Sequence, residues 1–463
     1  MQKEELLKRE EGLHRGLTQP QLTMIGIGGA IGTGLFYGSG FAVGMAGPGV
    51  IISYLIAAVT ALIMMGALAE MAVAHPTAGS FGTYAEMYLG GFAGWTVRYT
   101  YWFCQVIAVG GEVIAAAVYM QFWFPGVPSV IWMVAFSAAL VYVNARSVKN
   151  FGAFEYWFAM IKVVAIVAFI IAGSSLVLGI GVKPVGIDNL TAHGGFLPKG
   201  FEGAWMAVMM AIFSFIGVEV VAVTSGEAKN PEVSVPKAMK SMLLRLVLFY
   251  VLSITLMLCL VPWNQAGGKI SPFVQVFSQI GIPYAAGIMN FVILTAALSS
   301  MNTNLYITSR MMFSLARGGQ AHPALGRLSK EGTPVNAVLV STGGIALAVM
   351  LQKFGAETAY LYAFGVALFG ALFVWAMILV TFFKFRQRRK KDAAKLPFRM
   401  PLHPFLPALG ILLLVSILIT FCFHEFFRVG IYSGIAWLGL MAVTYCAFAR
   451  KPKPATQEAS ASE

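Results

Sequence analysis

Three ionisable residues interrupt long apolar runs of the sequence: Glu112 in VIAVGGEVIAAA, Lys162 in FAMIKVVAIVAF and Glu219 in FSFIGVEVVAV. A charge in the middle of a bilayer costs a few kcal/mol or more, so each needs a partner or a polar cavity. A lone residue of this kind often only ties two helices together. Lys162 is the most informative of the three, because a buried ammonium takes the place of a bound metal cation and can also give up a proton. That chemistry favours coupling to protons rather than to sodium. Glu219 is a candidate for carrying a proton or forming part of a gate, and Glu112 is a weaker candidate for either. Glu70 and Glu155 fall near the ends of apolar runs and read as solvated or structural. Glu227, in SGEAKNP, reads as a tie to a neighbouring loop.

The second chemical signal is MIGIGGAIGTGLFYGSG, Met24 to Gly40, with glycine at 26, 28, 29, 32, 34, 38 and 40. A simple span would use leucine, since each interior glycine costs a helix roughly 1 kcal/mol. Broken backbone inside a membrane is tolerated only where protein or a polar cavity satisfies the freed groups. GGAIGTG, residues 28–34, is therefore expected to be the unwound centre of a discontinuous helix, with N–H groups suited to a carboxylate and carbonyls suited to an ammonium. Close helix packing through small residues is the competing explanation. MMAIFSFIGVE, residues 209–219, lies over MIGIGGAIGTG with Met24 on Met209 and Ile31-Gly32 on Ile216-Gly217. Interrupted segments at corresponding places in two halves point to a transporter binding site.

The elements that must position these residues follow from composition. The chain has 463 residues, 58% of them hydrophobic and 11% charged, which is far from a soluble globular composition. About twelve apolar runs can cross a bilayer. The expected organisation is a cytoplasmic amino tail (1–18), spans 1–5 (19–180), an external loop (181–201), spans 6–10 (202–383), a basic cytoplasmic linker (384–403), spans 11–12 (404–449) and a disordered tail (450–463). The less apolar stretch 74–94 reads as an interfacial or re-entrant helix at an inner gate. The net charge of +13 is spread over the connections that this arrangement puts inside, among them Lys229, Lys237, Arg310, Arg317 and the run 384–399. That is the positive-inside bias, with both termini cytoplasmic, rather than a nucleic-acid surface. The four cysteines have no pairing or metal spacing and no HExxH is present, so no metal, cofactor or enzymatic activity is expected.

HRGL (14–17), GGAIGTGLF (28–36), EYWFAMIKV (155–163), FSFIGVE (213–219), GEAKNP (226–231) and SSMNTNLYITSRMMFSLA (299–316), in this order, resemble the amino acid permeases of the amino acid–polyamine–organocation superfamily, and within it the bacterial amino acid transporter family. The resemblance implies an all-α membrane protein with the leucine-transporter-like fold: twelve spans, two inverted five-helix repeats plus two helices, spans 1 and 6 discontinuous. It implies that Thr33 and Gly34, with Gly32, take a substrate carboxylate, and that carbonyls of Ala30, Phe213 and Ile216, beside Ser214, take its ammonium. Phe213 is expected to close over the substrate. Lys162 is expected to replace a sodium ion, facing Gly29, Ser299 and Ser300. Glu112 matches an acidic position common in the family.

The implied function is import of an amino acid with a proton across the bacterial plasma membrane, by alternating access. An exchanger of the same fold, or a non-transporting receptor, are the alternatives. Other pocket candidates, Cys104, Met301, Tyr360 and Tyr362, are mostly apolar and lean towards neutral substrates, branched-chain or aromatic. Glu112 or Glu219 would equally suit a cationic one. The oligomeric state is not legible.

Overall fold

The structure is a computed structural model and describes residues 16–146, 148–180, 183–266, 271–279, 284–351, 355–389 and 396–449. The amino tail before residue 16, the tail 450–463 and residues 390–395 of the basic linker lie outside the described residues, as do His14 and Arg15 of the HRGL motif.

The described chain is helical, as a backbone that must satisfy its own polar groups in lipid has to be. In order come α1 (Gln19–Ala30), a π-helical turn (Gly34–Gly38), α2 (Ser39–Ala46), α3 (Val50–Ala74), α4 (Ser80–Leu89), α5 (Gly91–Met120), α6 (Ser129–Arg146), α7 (Val148–Leu178) and α8 (Gly200–Phe213). There follow α9 (Val220–Val223), α10 (Pro231–Leu260), α11 (Pro272–Gln279), α12 (Ala285–Arg317), α13 (Val335–Val340), α14 (Gly343–Leu351), α15 (Ala356–Arg388), α16 (Phe405–Thr420) and α17 (Glu425–Thr444). Among the described residues nine helical stretches are long and apolar enough to cross a membrane, and the first, Gln19–Ala74, takes in both of the first two expected spans. The shorter apolar stretch Gly200–Phe213 covers the first half of expected span 6 (about 202–224), and Val335–Leu351 covers expected span 9 (about 335–353).

Burial separates a centre from a lipid-facing rim. The apolar stretches of α5 and α12 are 89% and 72% buried, against 22% for the stretch within α7 and 11% for that of α17. Trp157, Ile171, Leu412 and Ile435 are large, apolar and exposed, as lipid contact demands. α5 therefore forms the axis of the molecule. It is approached closely where side chains are missing: an added Cβ at Gly110 would lie 2.6 Å from the Gly344 carbonyl, so α5 meets α14 backbone to backbone.

Several expectations change. Of the two readings of 74–94, interfacial or re-entrant, residues 80–89 do not fit the interfacial one, because they do not lie along the surface. α4 buries Phe81, Thr83 and Tyr84, and the buried Arg98 pins it, donating to Glu86 Oε2 (2.6 Å) and Thr83 Oγ1 (3.0 Å). The polar run before span 7 is helical from Pro231, where proline supplies a preformed first turn after Asn230. Span 9 is interrupted at Ser341–Thr342, where Ser341 Oγ donates to the Ala337 carbonyl and accepts from Trp102 Nε1. Of the two readings of Glu70 and Glu155, solvated or structural, burial leaves the structural one, since both are fully buried. Glu70 Oε2 accepts from Arg386 Nη2 (2.6 Å) and the Met400 amide (2.8 Å), which anchors the far end of the linker on α3.

Candidate functional site

Helical hydrogen bonding in the glycine run stops at Ala30. Ile31 still donates to the Ile27 carbonyl, but Gly32 N turns back to the Ala30 carbonyl (3.0 Å) rather than reaching Gly28. The break is narrower than residues 28–34: Gly28 and Gly29 remain in α1, and a π-helical turn begins at Gly34. The freed carbonyls are claimed. Lys162 Nζ, fully buried on α7, donates to Gly28 O (2.6 Å) and Ile31 O (2.8 Å). One amine thus serves two carbonyls at the end of α1.

The second break runs from Ser214 to Glu219, between α8 and α9. Here N–H groups bond three residues back, as with Ile216 N to the Phe213 carbonyl (3.0 Å), and Gly217 has φ +102°. That φ suits glycine alone, and an added Cβ would lie 2.6 Å from the Gly29 carbonyl. Through these glycines the second break lies against the last turn of α1. Glu219 holds its own break open: Oε2 accepts from the Gly217 amide (3.1 Å) and Trp375 Nε1 (3.3 Å), and Oε1 from the Tyr101 hydroxyl (2.7 Å).

A narrow cavity lies between the breaks. Gly29, Ala30, Gly32, Gly34, Phe213 and Ile216 line it from the broken helices, Gln105, Ala108 and Glu112 from α5, Ser300 and Asn304 from α12, and Ala367 from α15. A neighbouring space includes Thr33, whose Oγ1 accepts from the Tyr360 hydroxyl (3.2 Å). Phe213 stacks on Phe364 with centroids 4.0 Å apart, so an aromatic wall closes that side. Ser300 Oγ donates to Glu112 Oε1 (2.9 Å), while Ser299 Oγ donates to Glu155 Oε1, whose Oε2 accepts from Asn302 Nδ2 (3.1 Å). Lys162 lies in the field of both carboxylates.

Some candidate residues do not line this cavity. Ser214 turns away: its Oγ is 3.2 Å from the Tyr54 hydroxyl and its carbonyl accepts from Tyr250 (2.7 Å). Glu219 and Lys162 act behind the backbone rather than as lining. Cys104 hydrogen-bonds the Tyr101 carbonyl, and Cys104, Met301 and Tyr362 are absent from the lining of either space. Gln105 and Asn304 are not among the expected site residues, and Glu155 is expected only as a solvated or structural group. Glu155 sits seven residues before Lys162, two turns along one helix, and that spacing was the available signal. Gln105 similarly precedes Glu112 by seven.

Towards the Gln19 end, Leu17 exchanges backbone bonds with Glu227 and Lys229 (both 3.1 Å). The Glu227 carboxylate is bound by Arg310 Nε of α12 (2.9 Å), not by a loop as expected, and Arg310 lies over the Tyr306 ring. Among the described residues no cluster of His, Cys, Asp or Glu is arranged to hold a metal ion.

These features define a multi-pass membrane protein with a small, partly polar cavity enclosed between two interrupted helices. A family model, Amino acid permease, matches residues 21–458. The chain belongs to the amino acid permease family. It is 40% identical to "Uncharacterized amino acid permease YtnA" of Bacillus subtilis (strain 168), over 95% of this chain and 96% of that protein. It is 40% identical to the gamma-aminobutyric acid permease of the same organism, over 96% and 95% of the two chains. It is 38% identical to the aromatic amino acid transport protein AroP of Escherichia coli (strain K12), over 94% and 95%.

Proposed function

We propose that this protein imports an amino acid together with a proton by alternating access, in the plasma membrane of a bacterium. The observation that carries the reading is the buried Lys162 ammonium bound to the Gly28 and Ile31 carbonyls. A proton on Lys162 supplies the positive charge that holds the first break. Its loss leaves these carbonyls without a cation and changes which arrangement of the helices is stable. The substrate carboxylate lies at Gly32, Thr33 and Gly34, and its ammonium at the carbonyls of Ala30, Phe213 and Ile216. Phe213 covers it. Glu112 and Glu219 adjust the charge around the two breaks, and Ser299 and Ser300 orient the carboxylates that face Lys162.

In this reading the chain has twelve spans in two inverted five-helix repeats plus two helices, with both termini cytoplasmic. The bundle carrying both breaks rocks against the remaining helices. The Leu17–Ala228 bridge and the Arg310–Glu227 pair close the inner side and open when substrate leaves.

The test uses the purified full-length protein in sealed liposomes. An inward proton gradient is expected to drive accumulation of labelled amino acid in sodium-free buffer. Lys162→Ala is expected to abolish accumulation while keeping equilibrative exchange. Unchanged accumulation by that variant would remove the lysine from coupling, and uptake only from amino-acid-loaded liposomes would make the protein an exchanger.

A further inference from the structure

α5 places Gln105, Ala108 and Glu112 along one face, and all three line the cavity between the breaks. Gln105 is 2% exposed, and its Nε2 makes no hydrogen bond. A primary amide carries two N–H donors and a carbonyl acceptor. One turn back, the Tyr101 hydroxyl gives its proton to Glu219, so its oxygen can take only one of the two donors. Among the side chains that line the cavity with it, Ala108, Ile216, Phe213 and Ala367 carry no acceptor, and the acceptors of Glu112, Ser300 and Asn304 make no hydrogen bond to Nε2. Burying a donor without an acceptor is unfavourable, and a leucine would fill this place without that penalty. Gln105 thus carries an open donor into the cavity, where a ligand can supply the acceptor.

The α-carboxylate and α-ammonium of an amino acid are engaged by the breaks in the reading above, on which this inference rests. What remains for Gln105 is the side chain. We propose that Gln105 determines specificity, and that the substrate is a small neutral amino acid whose side chain carries a hydroxyl, as in serine or threonine. A hydroxyl accepts from an amide N–H and donates to an amide carbonyl, so it satisfies Gln105 in either orientation of the amide. A wholly apolar side chain leaves the amide unpaired. A cationic side chain finds Glu112 already facing Lys162 and held by Ser300.

The experiment is competition for uptake of labelled L-serine by the full-length protein in liposomes, with the near-isosteric pair threonine and valine as competitors. Threonine is expected to compete at least about tenfold better than valine, the ratio set by one unpaired buried hydrogen bond. Gln105→Leu and, as a second variant that keeps length and flexibility, Gln105→Met are expected to bring the ratio to about one. Equal competition in the unmodified protein overturns the proposal, and so does a full preference retained in either folded variant. If labelled alanine, phenylalanine or lysine enters while serine does not, the specificity proposal fails and transport stands. If none of the four enters, the transport reading itself fails.

Discussion

Lys162 and Gly217 illustrate what single residues do here. An amine on α7 reaches across to α1 and takes two carbonyls that a continuous helix would have used internally. Gly217 permits the reverse: a backbone at φ +102° that lets the second break lie against Gly29. A left-handed conformation costs a residue with a Cβ about 1–2 kcal/mol, before counting the clash with Gly29. Gly217→Ala is therefore expected to reduce amino acid uptake by at least about tenfold. Gly44, within α2, provides the contrast, since an added Cβ meets nothing within 4 Å. Gly44→Ala is expected to hold or raise the thermal midpoint, by a gain of about 0.5–1 kcal/mol in helix stability. Uptake assays and thermal unfolding in detergent check both. Equal behaviour of the two variants would show that the contact of the second break with Gly29 is unimportant.

At the scale of elements, the breaks are held open by neighbouring helices together with residues of their own. Tyr101 of α5, Trp375 of α15 and the Gly217 amide converge on Glu219, and Tyr250 of α10 takes the Ser214 carbonyl. The Gly28, Ile31 and Ser214 carbonyls acquire partners from other helices and the Gly217 amide is met by Glu219 of its own segment, so these groups are satisfied without water. The Glu227–Arg310 pair does comparable work between the loop after α9 and α12, with both side chains fully buried. Removing one member of such a pair costs about 3–5 kcal/mol because the other charge is left unpaired. Glu227→Ala and Arg310→Met are each expected to lower the thermal midpoint by several degrees. The double variant Glu227→Leu/Arg310→Met is expected to recover part of the loss. Singles that melt with the unmodified protein would show the pair to be energetically idle.

For the whole molecule, the arrangement makes a prediction about sidedness. Cys422 and Cys446 are exposed, one at the turn between α16 and α17 and the other just beyond the end of α17. With both termini cytoplasmic, the first turn faces outward and the second inward. A membrane-impermeant thiol reagent applied to intact cells is expected to label Cys422 and spare Cys446, and to label both after permeabilisation. Labelling of Cys446 alone in intact cells would invert the topology, and with it the direction of transport.

Hydropathy and glycine placement by themselves determined that this is a polytopic helical protein, that helix is interrupted within 28–34 and within 209–219, and that Lys162 is buried. These are local or compositional properties: apolar length sets a span, glycine weakens a helix, and a charge inside an apolar run has to find a partner. Which partner it finds depends on residues more than a hundred positions away. Only the tertiary structure decided that Lys162 takes Gly28 and Ile31, that Ser299 serves Glu155 while Ser300 serves Glu112, and that Ser214 faces Tyr54 and Tyr250 instead of the cavity. Glu155 and Gln105 were hidden for the same reason. Position along an apolar helix tells how deep a polar group lies, but only packing tells which face it presents and what stands opposite.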